Sequence, residues 1–196
     1  EMLHVADIIF NINESFTTGN VIELFFTNTI VSDVIGNEIP SYGEGNIINI
    51  GILGDVNNDY EVNVLDVVFA INFVLYVEIP NDSEFWASDM NENSELNVVD
   101  IVYLSSHILG LLARTFDDAE AYIDNNKLHT SGSVAGIQFS GGELISEVDG
   151  NDIIQSNNGT TLIYNLSGSL KTDLFEFSSF PNDMIVTSQD ARELDV

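Results

Sequence analysis

Two stretches of this chain share one spacing of oxygen-bearing side chains, and that spacing limits what can lie on either side of them. Gly54 to Asp66 reads GDVNNDYEVNVLD, and Ser88 to Asp100 reads SDMNENSELNVVD. Each contains a twelve-residue run with Asp or Asn at positions one, three, five, nine and twelve. In the first these are Asp55, Asn57, Asp59, Asn63 and Asp66; in the second, Asp89, Asn91, Asn93, Asn97 and Asp100. Position seven, Glu61 or Glu95, serves through its backbone carbonyl. The spacing wraps oxygens around one point, which suits calcium, a hard cation that takes several oxygen ligands at once. Position eight is apolar in both runs (Val62 and Leu96), as in loops that pair side by side. Two polar turns that merely cap helices could account for either stretch alone. They do not account for two runs in register, each followed by an apolar segment of helical length. The expected cofactor is calcium, two ions.

Both runs depart from the usual calcium loop. Position six normally needs glycine for a sharp turn, and here it is Tyr60 and Ser94. A side chain at positive φ carries a conformational cost. Position twelve is Asp, shorter in reach than Glu. The first run offers three carboxylate ligands (Asp55, Asp59, Asp66) and the second two (Asp89, Asp100), so the first is expected to bind more tightly.

The residues ahead of each run set it apart from an ordinary EF-hand. NIINIGIL before Gly54 is strand-like, and PNDSEFWA before Ser88 is short and led by proline. Each unit is therefore a loop with only its exiting helix. This duplicated arrangement, carried by G-D-V-N-x-D-x-x-V-N-x-x-D and S-D-x-N-x-x-x-x-L-N-x-x-D, resembles the dockerin module of cellulosomal and related secreted proteins, over about Gly54 to Leu112. The resemblance implies calcium ligation by the same ten Asp and Asn residues and a cohesin module as partner. Positions ten and eleven often help dockerins select that partner. Here they are Val64, Leu65, Val98 and Val99 in place of the Ser/Thr pairs of many cellulosomal dockerins, which points away from a cellulosomal partner.

Charge narrows the partners further. The 196 residues carry 4 Lys+Arg against 32 Asp+Glu, a formal charge of −28. Two divalent ions offset little of that excess. Such a surface argues against nucleic acid as a partner, where phosphate contacts need cationic side chains, and against anionic membranes. It is compatible with a saline setting that screens self-repulsion. Hydrophobic residues make up 44%, enough that the acidity does not imply disorder. With no cysteine, disulfides, thiolate chemistry and zinc fingers are excluded. No signal peptide or long apolar run is visible. The chain opens on EMLHVAD without an initiator Met and reads as a mature product or part of a larger protein. The modules place it outside the cell or at the cell surface.

The expected fold class is α+β and multi-module: a dockerin-like pair of loop–helix units between two all-β, sandwich-like regions. Residues 1–53 read as strands (HVADIIFNI, VIELFFTNTIV with Ile22, Leu24 and Phe26 on one face, and NIINIGIL), similar to the closing strands of a cohesin-like sandwich. Residues 54–113 hold helices over about Val64–Leu75 and Val98–Leu111. The first is apolar nearly all round and needs cover on more than one side. Residues 118–196 contain seven candidate strands: Lys127–Thr130, Val134–Phe139, Glu143–Val148, Asp152–Gln155, Thr160–Asn165, Leu170–Phe177 and Met184–Thr187. Breaks at Asp149-Gly150, Asn158-Gly159 and Ser167-Gly168 suggest hairpins, and the whole suggests a loosely cohesin-like sandwich.

Enzyme signatures are scarce. His4, His107 and His129 sit in separate segments without H-x-x-x-H or H-E-x-x-H spacing, and neither S-G-S stretch forms a G-x-S-x-G elbow. The expected function is non-enzymatic: a calcium-stabilised extracellular adhesion or assembly protein. Its partner would be a cohesin-like module or another copy of itself, with strand exchange through open sheet edges and the terminal run Glu193–Val196 as a route to oligomers or filaments. Two other readings are an accessory, non-catalytic region of a larger secreted carbohydrate-active enzyme, and a calcium sensor.

Overall fold

The computed structural model describes residues 20–24, 31–32, 34–39, 46–111, 118–166 and 168–196. The chain divides into two compact units, Glu1–Gly51 and Ile52–Val196.

In the first unit the described backbone forms two antiparallel pairs. Strand β1 (Asn20–Leu24) precedes the short strands β2 (Val31–Ser32) and β3 (Glu38–Ile39), which pair with each other across a turn containing Gly36 at φ +88°. Strand β4 (Asn46–Ile50) returns along β1, with Ile22 opposite Ile48. The candidate strand HVADIIFNI lies outside the described residues, as does Phe26.

The second unit opens with the helical segment. Helix α1 (Val64–Val74) starts where expected because Asn63 caps it: its side chain accepts the Leu65 N–H, while the Asp66 carboxylate returns to the Asn63 N–H. This reciprocal box satisfies donors that the first turn leaves open. A short helix α2 (Asp82–Ser88) follows, capped in the same way by Asn81 and Glu84. It begins within PNDSEFWA, where the sequence suggested no long helix, and is seven residues long. Helix α3 (Val98–Ile108) repeats α1 with Asn97 and Asp100 as its box. It stops three residues short of the expected Leu111 because Gly110 turns left-handed (φ 65°) and the Leu111 N–H bonds back to the Ser106 carbonyl. Tyr76 closes α1 in the same left-handed state (φ 55°) without being glycine, and Val77 N–H bonds back to Asn72. Side-chain amides of Asn157 and Asn158 donate to the carbonyls of Leu75 and Tyr76, at 2.8 and 3.1 Å, and hold this end in place.

Among the described residues nine strands follow: β5 (Glu120–Asp124), β6 (Lys127–Ser131), β7 (Val134–Ser140), β8 (Glu143–Leu144), β9 (Ile153–Asn157), β10 (Thr160–Tyr164), β11 (Leu174–Ser179), β12 (Asp183–Ser188) and β13 (Glu193–Leu194). They form two antiparallel sheets, ordered β13-β12-β7-β10-β9 and β5-β6-β11-β8. The expected strands are met with moved ends. Glu143–Val148 shrinks to two residues, Leu170–Phe177 begins only at Leu174, and β5 had not been delimited as a strand.

Alternation along the five-stranded sheet decides the layering. Ile137, Phe139, Ile163 and Val186 point to the other sheet and meet Leu128, Phe175 and Phe177. Phe139 and Phe177 pack edge to face at 5.2 Å. Ala135, Leu162 and Tyr164 point the other way, into a second core with Val67, Ile71, Val74, Val98, Ile101 and Leu104. The unit is thus three-layered: helices, five strands, four strands. Helix α3 packs on α1 and on β7, β10 and β12. Gly136 permits its close approach: a Cβ there would lie 2.7 Å from a Val98 methyl and 3.1 Å from one of Val102.

Leu104 is fully buried in that second core. Leu104→Ala is expected to destabilise the calcium-loaded protein by about 2–5 kcal/mol, measured by urea unfolding. A loss below about 1 kcal/mol would contradict a tight core at this position.

Candidate metal centres

The two loops have nearly the same geometry, residue by residue. At position one, Asp55 accepts the N–H groups of Asp59 and Tyr60, both at 3.0 Å. Asp89 accepts those of Asn93 and Ser94 at 3.1 and 2.8 Å. At position three, the side-chain oxygens of Asn57 and Asn91 accept the main-chain N–H of position five. Those of Asp59 and Asn93, at position five, accept the N–H of Glu61 and Glu95. At position twelve, Asp66 takes Val56 N–H on one oxygen and Asn63 N–H on the other, both at 2.8 Å. Asp100 does the same with Met90 and Asn97, both at 3.0 Å. Each position-twelve carboxylate therefore closes its loop and caps its helix together.

The backbone takes the turn the spacing demands. Tyr60 and Ser94, where glycine was expected to be needed, sit at φ 74° and 66°, and position four, Asn58 or Glu92, is left-handed at 57° in both loops. Four non-glycine residues held there represent strain of order 1 kcal/mol each or more. The short-range bonds to Asp55 and Asp89 hold the turn closed around its side-chain oxygens.

Burial tests whether a cation fits. Asp55 and Asp66 are fully buried, and Asp89 and Asp100 are 7% and 1% exposed. Among the described residues the ion pair is Lys127 with Glu176, in the β layers and away from the loops. Burying carboxylates without a countercharge is costly, and N–H donors offset it only in part. Asp100 displays the conflict: burial pushes its carboxyl up to about 6, the Asn97 N–H opposes this, and the charge of Asp89 adds to it. Among the described residues no three His, Cys, Asp or Glu side chains converge as a metal group. The side-chain oxygens here belong instead to a few carboxylates and Asn amides, to which the loop spacing would add the position-seven carbonyls of Glu61 and Glu95. That is a hard, all-oxygen donor set suited to calcium and unsuited to soft metals. Bound calcium would supply charge neutralisation and loop rigidity, with Asp55, Asn57, Asp59, Asp66 and the Glu61 carbonyl as its holders in the first loop. Asp89, Asn91, Asn93, Asp100 and the Glu95 carbonyl would hold it in the second. Asn63 and Asn97, proposed ligands at position nine, spend one side-chain oxygen lone pair on the N–H of Leu65 or Val99.

Residues 53–109 match the family model of the dockerin type I domain. This segment is a dockerin-like module. The match covers less than a third of the chain, and no curated protein and no solved structure matches it. Dockerin domains are non-catalytic, calcium-dependent modules that bind cohesins, and proteins that carry them are typically extracellular or at the cell surface. Among the described residues no helix is long and apolar enough to cross a membrane. Of the histidines, His129 stacks on Tyr122 at 4.6 Å, in a strand remote in sequence from His107 on α3.

Outside the loops, the sequence reading missed the residues that join the dockerin-like module to the sheet: Gly136, Gln138, Asn157, Asn158 and Gln189. Only Gly136 carried a signal, as a glycine inside a strand, which often marks a close backbone approach.

Excess chelator is expected to lower the thermal midpoint and the helical circular dichroism. A site at a thousandfold its Kd contributes about 4 kcal/mol, so losing both corresponds to a shift of roughly 10 °C or more for a chain this size. An unchanged midpoint would refute calcium-dependent stability. Asp55→Ala is expected to cost more calcium affinity than Asp89→Ala, by calorimetric titration.

Proposed function

We propose that this is a calcium-stabilised extracellular assembly protein, whose dockerin-like module uses the outer face of α1 to dock the β-sheet face of a cohesin-like partner. One observation carries the reading. The two repeats are offset by 34 positions, as Asp55 and Asp89 are, so Val64, Leu65 and Val68 on α1 correspond to Val98, Val99 and Val102 on α3. The α3 set is 0%, 3% and 4% exposed, and Val98 and Val102 lie against the chain's own β-sheet; the α1 set is 54%, 53% and 51% exposed. The same apolar surface is thus covered by a sheet in one repeat and open in the other. Solvent-facing apolar residues grouped in this way mark an interaction site. Beside them lies an apolar pit of about 80 Å³, lined by Val64, Val67, Ser105, Ile108, Leu109 and Leu166, able to take a small side chain.

The remaining readings receive less support. Strand exchange through the C-terminal run loses its free strand, because Glu193–Leu194 already pairs with β12. A sensor needs an apolar groove that calcium opens, whereas the α3 face is closed by the sheet. That favours calcium as a structural ion. The accessory-region reading is compatible with the same docking face and concerns what else the full protein contains.

The test is Val68→Asp. Because Val68 is half-exposed, the variant is expected to keep its midpoint within about 0.5 kcal/mol of stability. Its affinity for cohesin modules, screened by calorimetry in millimolar calcium, is expected to fall at least about tenfold, as for a hot-spot residue. Sedimentation of the protein alone distinguishes self-association from a separate partner. Unchanged binding by Val68→Asp would remove the α1 face from the reading.

A further inference from the structure

The two calcium loops differ in what stands next to them. In the second loop, positions nine to twelve (Asn97, Val98, Val99 and Asp100) are all buried. In the first, Asn63 is half-buried, and Val64 and Leu65 are exposed. For Val98 the cover is the five-stranded sheet. The Val98 N–H, one of the donors that a helix start leaves open, donates to the side-chain oxygen of Gln138 on β7 at 3.0 Å. The methyl groups of Val98 and Val102 lie over Gly136 on the same strand. One further turn along α3, the Ser106 hydroxyl donates to the Gln189 carbonyl beyond β12 at 3.1 Å.

We infer that the second calcium site is a clasp: calcium there fastens the C-terminal β layers to α3, and the docked sheet in turn raises that site's calcium affinity. The link runs through Asp100 and its neighbours. Asp100 holds Met90 at the start of the loop and Asn97 at its end. The residue after Asn97 is Val98, which sits directly on Gln138 and Gly136. An ion that sets Asp100 and the loop also sets the first turn of α3, and the sheet reads that turn. Coupling between two binding events is reciprocal: whatever factor calcium adds to docking, docking adds to calcium. The second loop has one carboxylate fewer among its ligand positions than the first, so its affinity depends more on such support. Among the described residues, the equivalent positions in the first turn of α1, Val64 and Leu65, are exposed, so calcium at the first loop lacks this particular link to the C-terminal layers. This inference rests on calcium filling the second loop; it does not depend on a partner docking at α1.

The experiment isolates each site in the full chain. In an Asp55→Ala background, which leaves the second loop to bind, Gln138→Ala is expected to weaken calcium about five- to twentyfold by competition with a chromophoric chelator, within the usual range of coupling. In an Asp89→Ala background, which leaves the first loop, the same change is expected to alter affinity less than about twofold, as for uncoupled sites. Gly136→Ala, which forces Val98 outward, should give the same pattern. Hydrogen exchange supplies a readout independent of affinity: Asp89→Ala should speed exchange across 98–106 and in β7 and β12, and Asp55→Ala should not. Equal weakening at both loops would show general destabilisation and overturn the clasp. So would no weakening at the second loop, or unchanged exchange in Asp89→Ala.

Discussion

The position-twelve aspartates carry the organisation of the dockerin-like module. Asp66 and Asp100 each accept N–H groups from both ends of a loop and are at the same time the third residue of the helix that follows. A loop closed this way cannot shift without moving its helix. Because the helix starts on an Asn cap with the carboxylate folded back, its direction is set by the loop and not by propensity. That matters for α1 and α3, whose β-branched residues are weak helix formers. The arrangement has an electrostatic cost. It buries four carboxylates beside left-handed backbone, and a bound cation removes much of that cost.

Duplication followed by unequal use explains the rest of the unit. Two helices with similar apolar faces pack against each other through their inner sides. Their outer sides then remain, and among the described residues the sheet covers that of α3 while Val64, Leu65 and Val68 of α1 are exposed. Gly136 lets β7 approach α3, Gln138 takes the Val98 N–H, and the sheet is buried on both faces, by helices on one side and by the four-stranded sheet on the other. The equivalent α1 surface stays in water. One small module thus carries a sheet bound in cis on one such face and leaves the other open, the face proposed for docking.

The capping boxes were legible residue by residue because they are local. Asn63 to Asp66 and Asn97 to Asp100 fix both helix starts, and N-D-S-E at 81–84 is the same signal, here for a helix of seven residues in a stretch too short for a long one. The end of α3 was misjudged by three residues, since apolar periodicity runs on past the Gly110 turn. The C-terminal strands were found from alternation and turn residues, but their ends moved, as with Leu170–Phe177. Which backbone groups find partners across a sheet is settled by register, not by the residues of one strand. Sheet order could not be read either, because strands of similar composition pair equally well in several orders.

Local spacing alone determined that this chain carries two oxygen-lined loops with exiting helices, and the chemistry of their side chains determined that a hard cation suits them. Both facts depend on residues within twelve positions of one another, so short-range hydrogen bonding decides them. Val64-Leu65 and Val98-Val99 look alike in sequence and differ completely in exposure. Only the tertiary structure decided that difference: for Val98 it depends on a glycine and a glutamine some 40 residues further along the chain, brought to α3 by the packing of the sheet.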